Sequence, residues 1–192
     1  MPAPDLPIVS FPGPEEWAAW LEENHASSPG VWLRIAKKGS GETTVSYAEA
    51  LDVALCHGWI DGQKRSHDEG SWLQKFTRRG ARSLWSKVNR EKALELIRSG
   101  RMRPAGQEEV DRAQRDGRWE AAYDAQSKAS VPADLEAELE RRPAARAFFA
   151  TLNSQNRYAV LFRIQTAKRA ETRARRIEQL VAMLERGEKI HS

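Results

Sequence analysis

The spacing of apolar side chains predicts two helices with a strand between them near the start of the chain. Pro14 suits the first position of a helix, and Trp17, Trp20 and Leu21 form an apolar stripe with helical period, which predicts a first helix. Residues 31–38 then alternate apolar and basic side chains, which is typical of a strand with one buried face. Ser46 opens a capping box and so predicts a second helix, which can stop in a left-handed conformation at Gly58.

Two short runs of alternating large residues, 59–65 and 72–78, predict an antiparallel hairpin. The residues between them, 67–70, are of types that favour a turn. Residues 1–13 contain four prolines and are expected to form an extended arm. The first strand and the first strand of the hairpin should be parallel if they are adjacent. The predicted fold class is therefore α+β, with a small three-stranded mixed sheet covered by helices and followed by a C-terminal helical unit.

Beyond Trp85 the apolar spacing is helical throughout. Ser86 is placed to cap a helix that ends at Gly100, and Pro104 is placed to begin another. Four further apolar stripes follow the polar segment 124–134, which is the best candidate for a linker.

This pattern divides the chain into two predicted domains. The first is an α+β domain over residues 1–125, which contains the hairpin, and the second is a helical unit over residues 130–192. A unit of about 60 residues is marginal as an independent folder, so we expect it to dock on the first domain.

Composition narrows the class of protein. The 192 residues are 40% hydrophobic and 30% charged, which excludes disorder throughout. No apolar run reaches the ~18 residues that a membrane span needs, and the first residues do not resemble a secretory signal, so we expect a cytoplasmic protein without a membrane span. A single cysteine, Cys56, and four scattered histidines predict no disulfide, metal site or cofactor.

The net charge of +4 is unevenly distributed. Residues 63–103 carry 12 Lys or Arg against 4 Asp or Glu, and residues 157–192 carry 9 against 4. Residues 1–62 and 104–156 are acidic on balance, with 3 against 9 and 7 against 10. Such segregation permits pairing between zones as readily as a basic surface for an anionic partner.

The first group of candidate binding residues lies on the hairpin. Trp59 and Asp61 are two residues apart on a predicted strand, so they share a face. Asp61 has two interpretations, a carboxylate that pairs with an arginine of the neighbouring strand and a carboxylate that contacts a ligand.

A second group follows the hairpin, where guanidinium, hydroxyl and amide groups gather near the start of a helix, as an anion site requires. Its members are Arg78, Arg79, Ser83, Trp85, Ser86 and Asn89. The segment is not a phosphate loop, and the same arginines are equally explained as covers of tryptophan faces or partners of the acidic zone. If the interpretation as a site is right, Trp59, Asp61, Arg79, Trp85, Ser86 and Asn89 line one pocket between the hairpin and the next helix.

Evidence for catalysis is weaker. Cys56 lies close to an apolar helix face, where a thiol is usually an inert core residue, and no serine has a nucleophile context. We therefore predict no catalytic residues, although an enzyme is not excluded. The basic segment 168–176 is either a solvated helix face or a surface for nucleic acid, anionic lipid or a protein groove.

Four motifs give the sequence a resemblance to the YdeI/OmpD-associated (OmdA) family of bacterial proteins, and together they span nearly the whole chain. They are Cys-x-Gly-Trp-Ile-Asp-Gly at 56–62, the Arg-Arg to Asn run at 78–89, Gly100-Arg101-Met102 with Gly106, and Lys168-x-x-x-Thr172-Arg173-x-x-Arg176. The resemblance implies a link to an outer-membrane porin, bacteriocin protection or stress tolerance, with no reaction or cofactor. It adds Lys168, Thr172 and Arg173 to the candidate pocket.

These observations together favour a non-catalytic protein of bacterial stress tolerance or bacteriocin protection that binds a small anionic ligand or a protein partner. The alternatives are a nucleic-acid-binding protein, which is less favoured, and an enzyme that acts on an anionic substrate.

Overall fold

The structure, a computed structural model, describes residues 6–191 and divides the chain into two compact units. The first unit runs to Trp85 and resumes over Asn89–Glu120, and the second comprises Ser86–Val88 and the chain from Ala121 onward. The predicted α+β class is confirmed. The predicted domain limits and the predicted docking of the second domain on the first stay predictions.

From Pro14 onward, strands and helices follow one another in the order that the apolar pattern predicts. The strands are β1 (Ile8–Val9), β2 (Val31–Ala36), β3 (Trp59–Ser66) and β4 (Ser71–Arg78). The helices are α1 (Pro14–Asn24), α2 (Tyr47–Cys56), α3 (Lys87–Arg98), α4 (Pro104–Arg115), α5 (Ala133–Arg141), α6 (Pro143–Thr151), α7 (Ser154–Gln165) and α8 (Ala170–Glu185). A short 3₁₀ helix, Gln126–Lys128, lies within the predicted linker.

The sheet has four strands in the described part of the chain, so the prediction of three was wrong by one edge strand. The order is β1-β2-β4-β3, and the missed strand is β1, which pairs parallel with β2. The backbone amide of Trp32 donates to the carbonyl of Pro7 at 2.9 Å. Two paired residues in a proline-rich arm leave too short an alternating run to be detected from periodicity.

The sequence predicts that β2 and β3 are parallel if they are adjacent, and the structure shows that they are not adjacent. β4 lies between β2 and β3 and pairs antiparallel with both, so β2 and β3 are not neighbours. The hairpin of β3 and β4 is confirmed, with Trp59 opposite Arg78 and Ser66 opposite Trp72. Its register shifts between Asp61 and Lys64.

Tryptophans and close glycine contacts form the centre of the first unit. Trp17 of α1 and Trp59 of β3 are completely buried, and their ring centroids lie 6.3 Å apart. Gly58 has the predicted positive φ of +73°, and a β-carbon there would lie 2.8 Å from the carbonyl oxygen of Ala105. At Gly106 a β-carbon would lie 2.3 Å from the carbonyl oxygen of Cys56, so glycine lets the start of α4 pack against the end of α2.

The second unit is built around one cluster of apolar side chains from α5, α6, α7 and α8. Its buried members are Leu135, Leu139, Ala145, Phe149, Leu152, Val160, Leu161, Ile164, Ile177, Leu180, Val181 and Leu184. Most of them belong to the apolar stripes in the sequence, because each helix presents a single apolar face to its neighbours.

Candidate functional site

Arg79, the central residue of the predicted anion site, is buried at the exit of β4. Only 4% of its surface is exposed, and its guanidinium carbon lies 3.5 Å from the centroid of the Trp85 ring. Its Nη1 donates to the carbonyl of Leu84 at 3.2 Å, and its backbone amide donates to the carbonyl of Gly58 at 3.0 Å. These contacts agree with the interpretation that Arg79 covers the face of a tryptophan.

Two further arginines contact the same loop. Arg112 of α4 donates to the carbonyl of Arg79 at 3.5 Å and is paired with Glu109, and Arg118 donates to the carbonyl of Ser83 at 2.8 Å. Burial raises the pKa of Glu109, while the charge of Arg112 opposes that rise. We name residues 79–85 with these two arginines the arginine–tryptophan cluster. Its guanidinium groups bind carbonyls of the loop, which is a structural use of arginine.

The two predicted hairpin residues take different roles. Trp59 is a core residue, and its Nε1 donates to the carbonyl of His25 at 3.1 Å. Asp61 is half-buried and accepts a hydrogen bond of 2.8 Å from the hydroxyl of Tyr47, rather than the expected arginine pair. The backbone register shift next to Asp61 separates it from the regular alternation of the strand.

The remaining residues of the second predicted group are spread over both units. Arg78 is exposed and donates to the carbonyl of Ala26 at 2.9 Å. The Ser83 hydroxyl accepts from the amide of Gly80 at 2.9 Å and so closes the turn after β4. Asn89 is 8% exposed in the first unit, and Ser86 precedes α3 in the second unit. That these residues line one pocket stays a prediction.

The three candidates from the C-terminal motif lie at or near the start of α8. Arg173 binds both carboxylate oxygens of Asp134, with Nε–Oδ2 at 2.6 Å and Nη2–Oδ1 at 2.8 Å, and also donates to the carbonyl of Ile164. These hydrogen bonds hold the pKa of Asp134 below its ordinary value. Thr172 is partly exposed and Lys168 is exposed. The arginine therefore joins α8 to α5 within the second unit.

A basic pocket that the sequence did not single out lies at the far end of the hairpin. Its volume is about 580 Å³, and its lining joins the end of β2 to the end of β3 and the start of β4. The lining residues are Ala36, Lys37, Lys38, Lys64, Arg65, Ser66 and Trp72. We name this the hairpin pocket. Four of its seven side chains are cations, and none is a carboxylate.

Aromatic rings hold two of these cations in place. Lys64 and Ser66 lie on the same face of β3, and Ser66 is opposite Trp72. The Lys64 ammonium lies 4.1 Å from the Trp72 ring centroid. On the other face, the guanidinium carbon of Arg65 lies 4.1 Å from the Trp32 ring centroid. Each ring restricts a long, flexible side chain and so reduces the entropy that binding would cost.

The nearby carboxylates of Glu42 and Asp68 pair with Arg34 and not with the cations of the pocket. Arg34 pairs with Glu42 and, at 3.9 Å, with Asp68 of the hairpin turn. Lys37 donates to the backbone carbonyls of Asp68 and Glu69, at 2.8 Å and 3.1 Å, and so fixes the turn rather than a carboxylate. Among the ion pairs within residues 6–191, none involves Lys38 or Lys64, so the pocket keeps a positive charge.

The chain offered one signal for this pocket. Lys64 and Arg65 fall in the basic zone 63–103, and a lysine pair, 37–38, ends the predicted strand 31–38. The sequence predicts an anion site at residues 78–89, where arginine, tryptophan and serine cluster, whereas the hairpin pocket joins segments that are about 30 residues apart in sequence.

The thiol of Cys56 has the surroundings that the apolar helix face predicts. It is 5% exposed at the end of α2, and burial raises its pKa, so it is uncharged at neutral pH. Within residues 6–191 no three His, Cys, Asp or Glu side chains are grouped as metal ligands. In the same part of the chain no helix has both the length and the apolar character that crossing a membrane demands.

Comparisons with known proteins match two separate segments. Residues 9–109 match the model of a family described as a domain of unknown function, DUF8412. Residues 128–187 match the family described as bacteriocin-protection, YdeI or OmpD-associated, OmdA. The expected resemblance to OmdA is thus confirmed for the C-terminal part, not over nearly the whole chain, and the motifs at 56–89 lie in the other segment. Searches of the curated proteins and of the solved structures returned no match.

Proposed function

The chain belongs to the DUF8412 family over residues 9–109 and carries an OmdA domain at 128–187, and from this premise we propose a non-catalytic, bacteriocin-protection-like protein that binds a small anionic ligand in the hairpin pocket. The description of the OmdA family supports a role in protection or stress. The ligand class rests on the N-terminal unit, where four cations line one pocket without a carboxylate.

Geometry favours a small ligand with more than one negative charge. A volume of about 580 Å³ is in the range of small-molecule sites. Lys37, Lys38, Lys64 and Arg65 all line the pocket, so several cations are available to a bound anion. A compact polyanion can engage more than one of them, whereas a single carboxylate has fewer charged oxygens to offer.

Isothermal titration with inorganic pyrophosphate tests this proposal. We expect binding that weakens as salt rises, because the Debye length is about 8 Å at 0.15 M and the pocket is open to solvent. The variants Lys64→Gln and Arg65→Gln should each weaken binding roughly tenfold, as the loss of a charge-assisted hydrogen bond does.

Matched controls come from cations of the same unit that do not line the pocket. Lys75→Gln removes a lysine from β4, and Arg82→Gln removes an exposed arginine of the loop 79–85. Both should leave the pyrophosphate affinity within about twofold, since rim charges act weakly at physiological salt. Equal losses for the control and pocket variants would refute a site in the pocket, and tight duplex-DNA binding at about 0.15 M salt would favour the nucleic-acid alternative.

A further inference from the structure

A second cavity of the first unit shares no lining residue with the hairpin pocket. Its volume is about 310 Å³, and it lies between α1, the end of α2 and the connection from α3 to α4. The lining residues are Ala18, Val53, Cys56, His57, Gly100, Arg101 and Arg103. We name it the thiol cavity.

One wall of the thiol cavity is apolar and another is cationic. Ala18, Val53 and the uncharged thiol of Cys56 form the apolar wall. Arg101 and Arg103 are exposed and line the cavity from the segment that connects α3 to α4. The amide of Arg103 donates to the carbonyl of Cys56 at 3.3 Å, which joins this segment to the end of α2.

The charge of the cavity is only partly balanced. Glu22 accepts a 3.0 Å hydrogen bond from Nε2 of His57 and lies 4.0 Å from Nε of Arg103. The hydrogen bond to His57 lowers the pKa of Glu22, so this carboxylate is charged at neutral pH. Among the ion pairs of residues 6–191, none involves Arg101, whose guanidinium therefore remains available to an incoming anion.

We propose that the thiol cavity is a second binding site, which takes a small organic monoanion with its carboxylate on Arg101 and its apolar part against Ala18, Val53 and Cys56. This ligand differs in class from that of the hairpin pocket, because the thiol cavity has an apolar wall and one uncompensated cation. The inference does not rest on the function proposed for the hairpin pocket.

Titration calorimetry with hexanoate, and with hexanamide as its neutral match, tests the proposal. Hexanoate should bind, and hexanamide should bind roughly tenfold more weakly because it lacks the charge that pairs with the guanidinium. Arg101→Gln should weaken hexanoate binding by a similar factor and leave hexanamide unaffected. Arg115→Gln, an exposed arginine of α4 outside the cavity, is the matched control and should change neither.

A second variant gives an effect of opposite sign. Glu22→Gln removes the carboxylate that competes for the cationic wall, so hexanoate should bind about threefold more tightly. In nuclear magnetic resonance spectra of the wild type, hexanoate should shift the amide signals of Cys56, Gly100 and Arg101. Equal binding of the two probes, equal effects of Arg101→Gln and Arg115→Gln, or shifts confined to other residues would overturn the proposal.

Discussion

Cations lie over tryptophan rings at both ends of the hairpin, and the two ends differ in what else the cation contacts. At the exit of β4, Arg79 is 4% exposed, lies over Trp85 and donates to a loop carbonyl. At the far end, Arg65 lies over Trp32 but is exposed and lines a pocket. The ring contact is common to both, so it does not distinguish a structural arginine from a binding one.

Burial and backbone contacts make the distinction. A buried guanidinium takes its hydrogen-bond partners from within the protein, and in the arginine–tryptophan cluster loop carbonyls accept a hydrogen bond from each of Arg79, Arg112 and Arg118. An exposed guanidinium is satisfied by water, which an anion can displace. The comparison therefore predicts that the first end contributes stability and the second end contributes affinity.

The largest expected effect is on stability at the buried end. Arg79→Ala removes a ring contact and a charge-assisted hydrogen bond to Leu84, and it leaves a void in the loop, so it should lower the free energy of unfolding by about 3 kcal/mol. Chemical denaturation of the full chain measures this. Arg82→Ala, an exposed neighbour, should change stability by less than about 0.5 kcal/mol.

One outcome would contradict the different roles assigned to the two ends of the hairpin. If Arg79→Ala is as stable as Arg82→Ala and loses pyrophosphate binding, Arg79 is a ligand-binding residue, and the structural role assigned to its contacts is wrong.

A smaller effect is expected when the ring at the exposed end is removed. Trp72→Leu keeps an apolar residue in β4 but deletes the surface over which the Lys64 ammonium lies. Exposed cation–π contacts are worth about 0.5–1 kcal/mol, so pyrophosphate affinity should fall about threefold. Calorimetry measures the loss, and Lys64→Gln in the same background should then cost less than it does in the wild type. Additive losses would show that the ring does not position the lysine.

The smallest effect concerns an arginine between these two extremes, which is partly exposed and paired with a carboxylate. Arg173 lowers the pKa of Asp134, so the pair stabilises the fold above the ordinary pKa of 3.8, and this contribution is lost as pH falls through the lowered value. Asp134→Asn should cost less than about 1 kcal/mol at neutral pH, because the pair is solvent-screened.

The pH dependence of stability tests the contribution of the Arg173–Asp134 pair. The stability difference between Asp134→Asn and the wild type should shrink as the pH is lowered below the ordinary pKa, when measured by denaturation at each pH. A difference that stays constant with pH would show that the hydrogen-bond geometry of Arg173, not the charge of Asp134, provides the stabilisation.

Local patterns were sufficient for most of the fold. Helix α2 begins at the Ser46 capping box and is followed by Gly58 with positive φ, because both signals act within one turn of the chain. Strand β1 was missed because two residues carry no period, and β4 was not placed between β2 and β3 because strand order depends on packing across the sheet.

The site was harder to predict for a physical reason. The sequence shows that Arg79 and Arg65 are both cations near tryptophans, but whether each is buried depends on segments far away, such as α4, which brings Arg112 against the loop. The hairpin pocket likewise forms only when Lys38 and Lys64 are brought together by the sheet. The sequence shows the type of each residue, but it does not show whether the side chain is exposed.

We expect an anion to bind at the exposed end of the hairpin, not at the exit of β4. Nuclear magnetic resonance of the ¹⁵N-labelled full chain during a titration with pyrophosphate tests it most directly, because both ends are observed in one sample. We predict that the amide signals of Lys38, Lys64 and Ser66 move with a common saturation curve while those of Gly80 and Ser83 stay in place. Movement of Gly80 and Ser83 with the pocket signals unchanged would contradict the account.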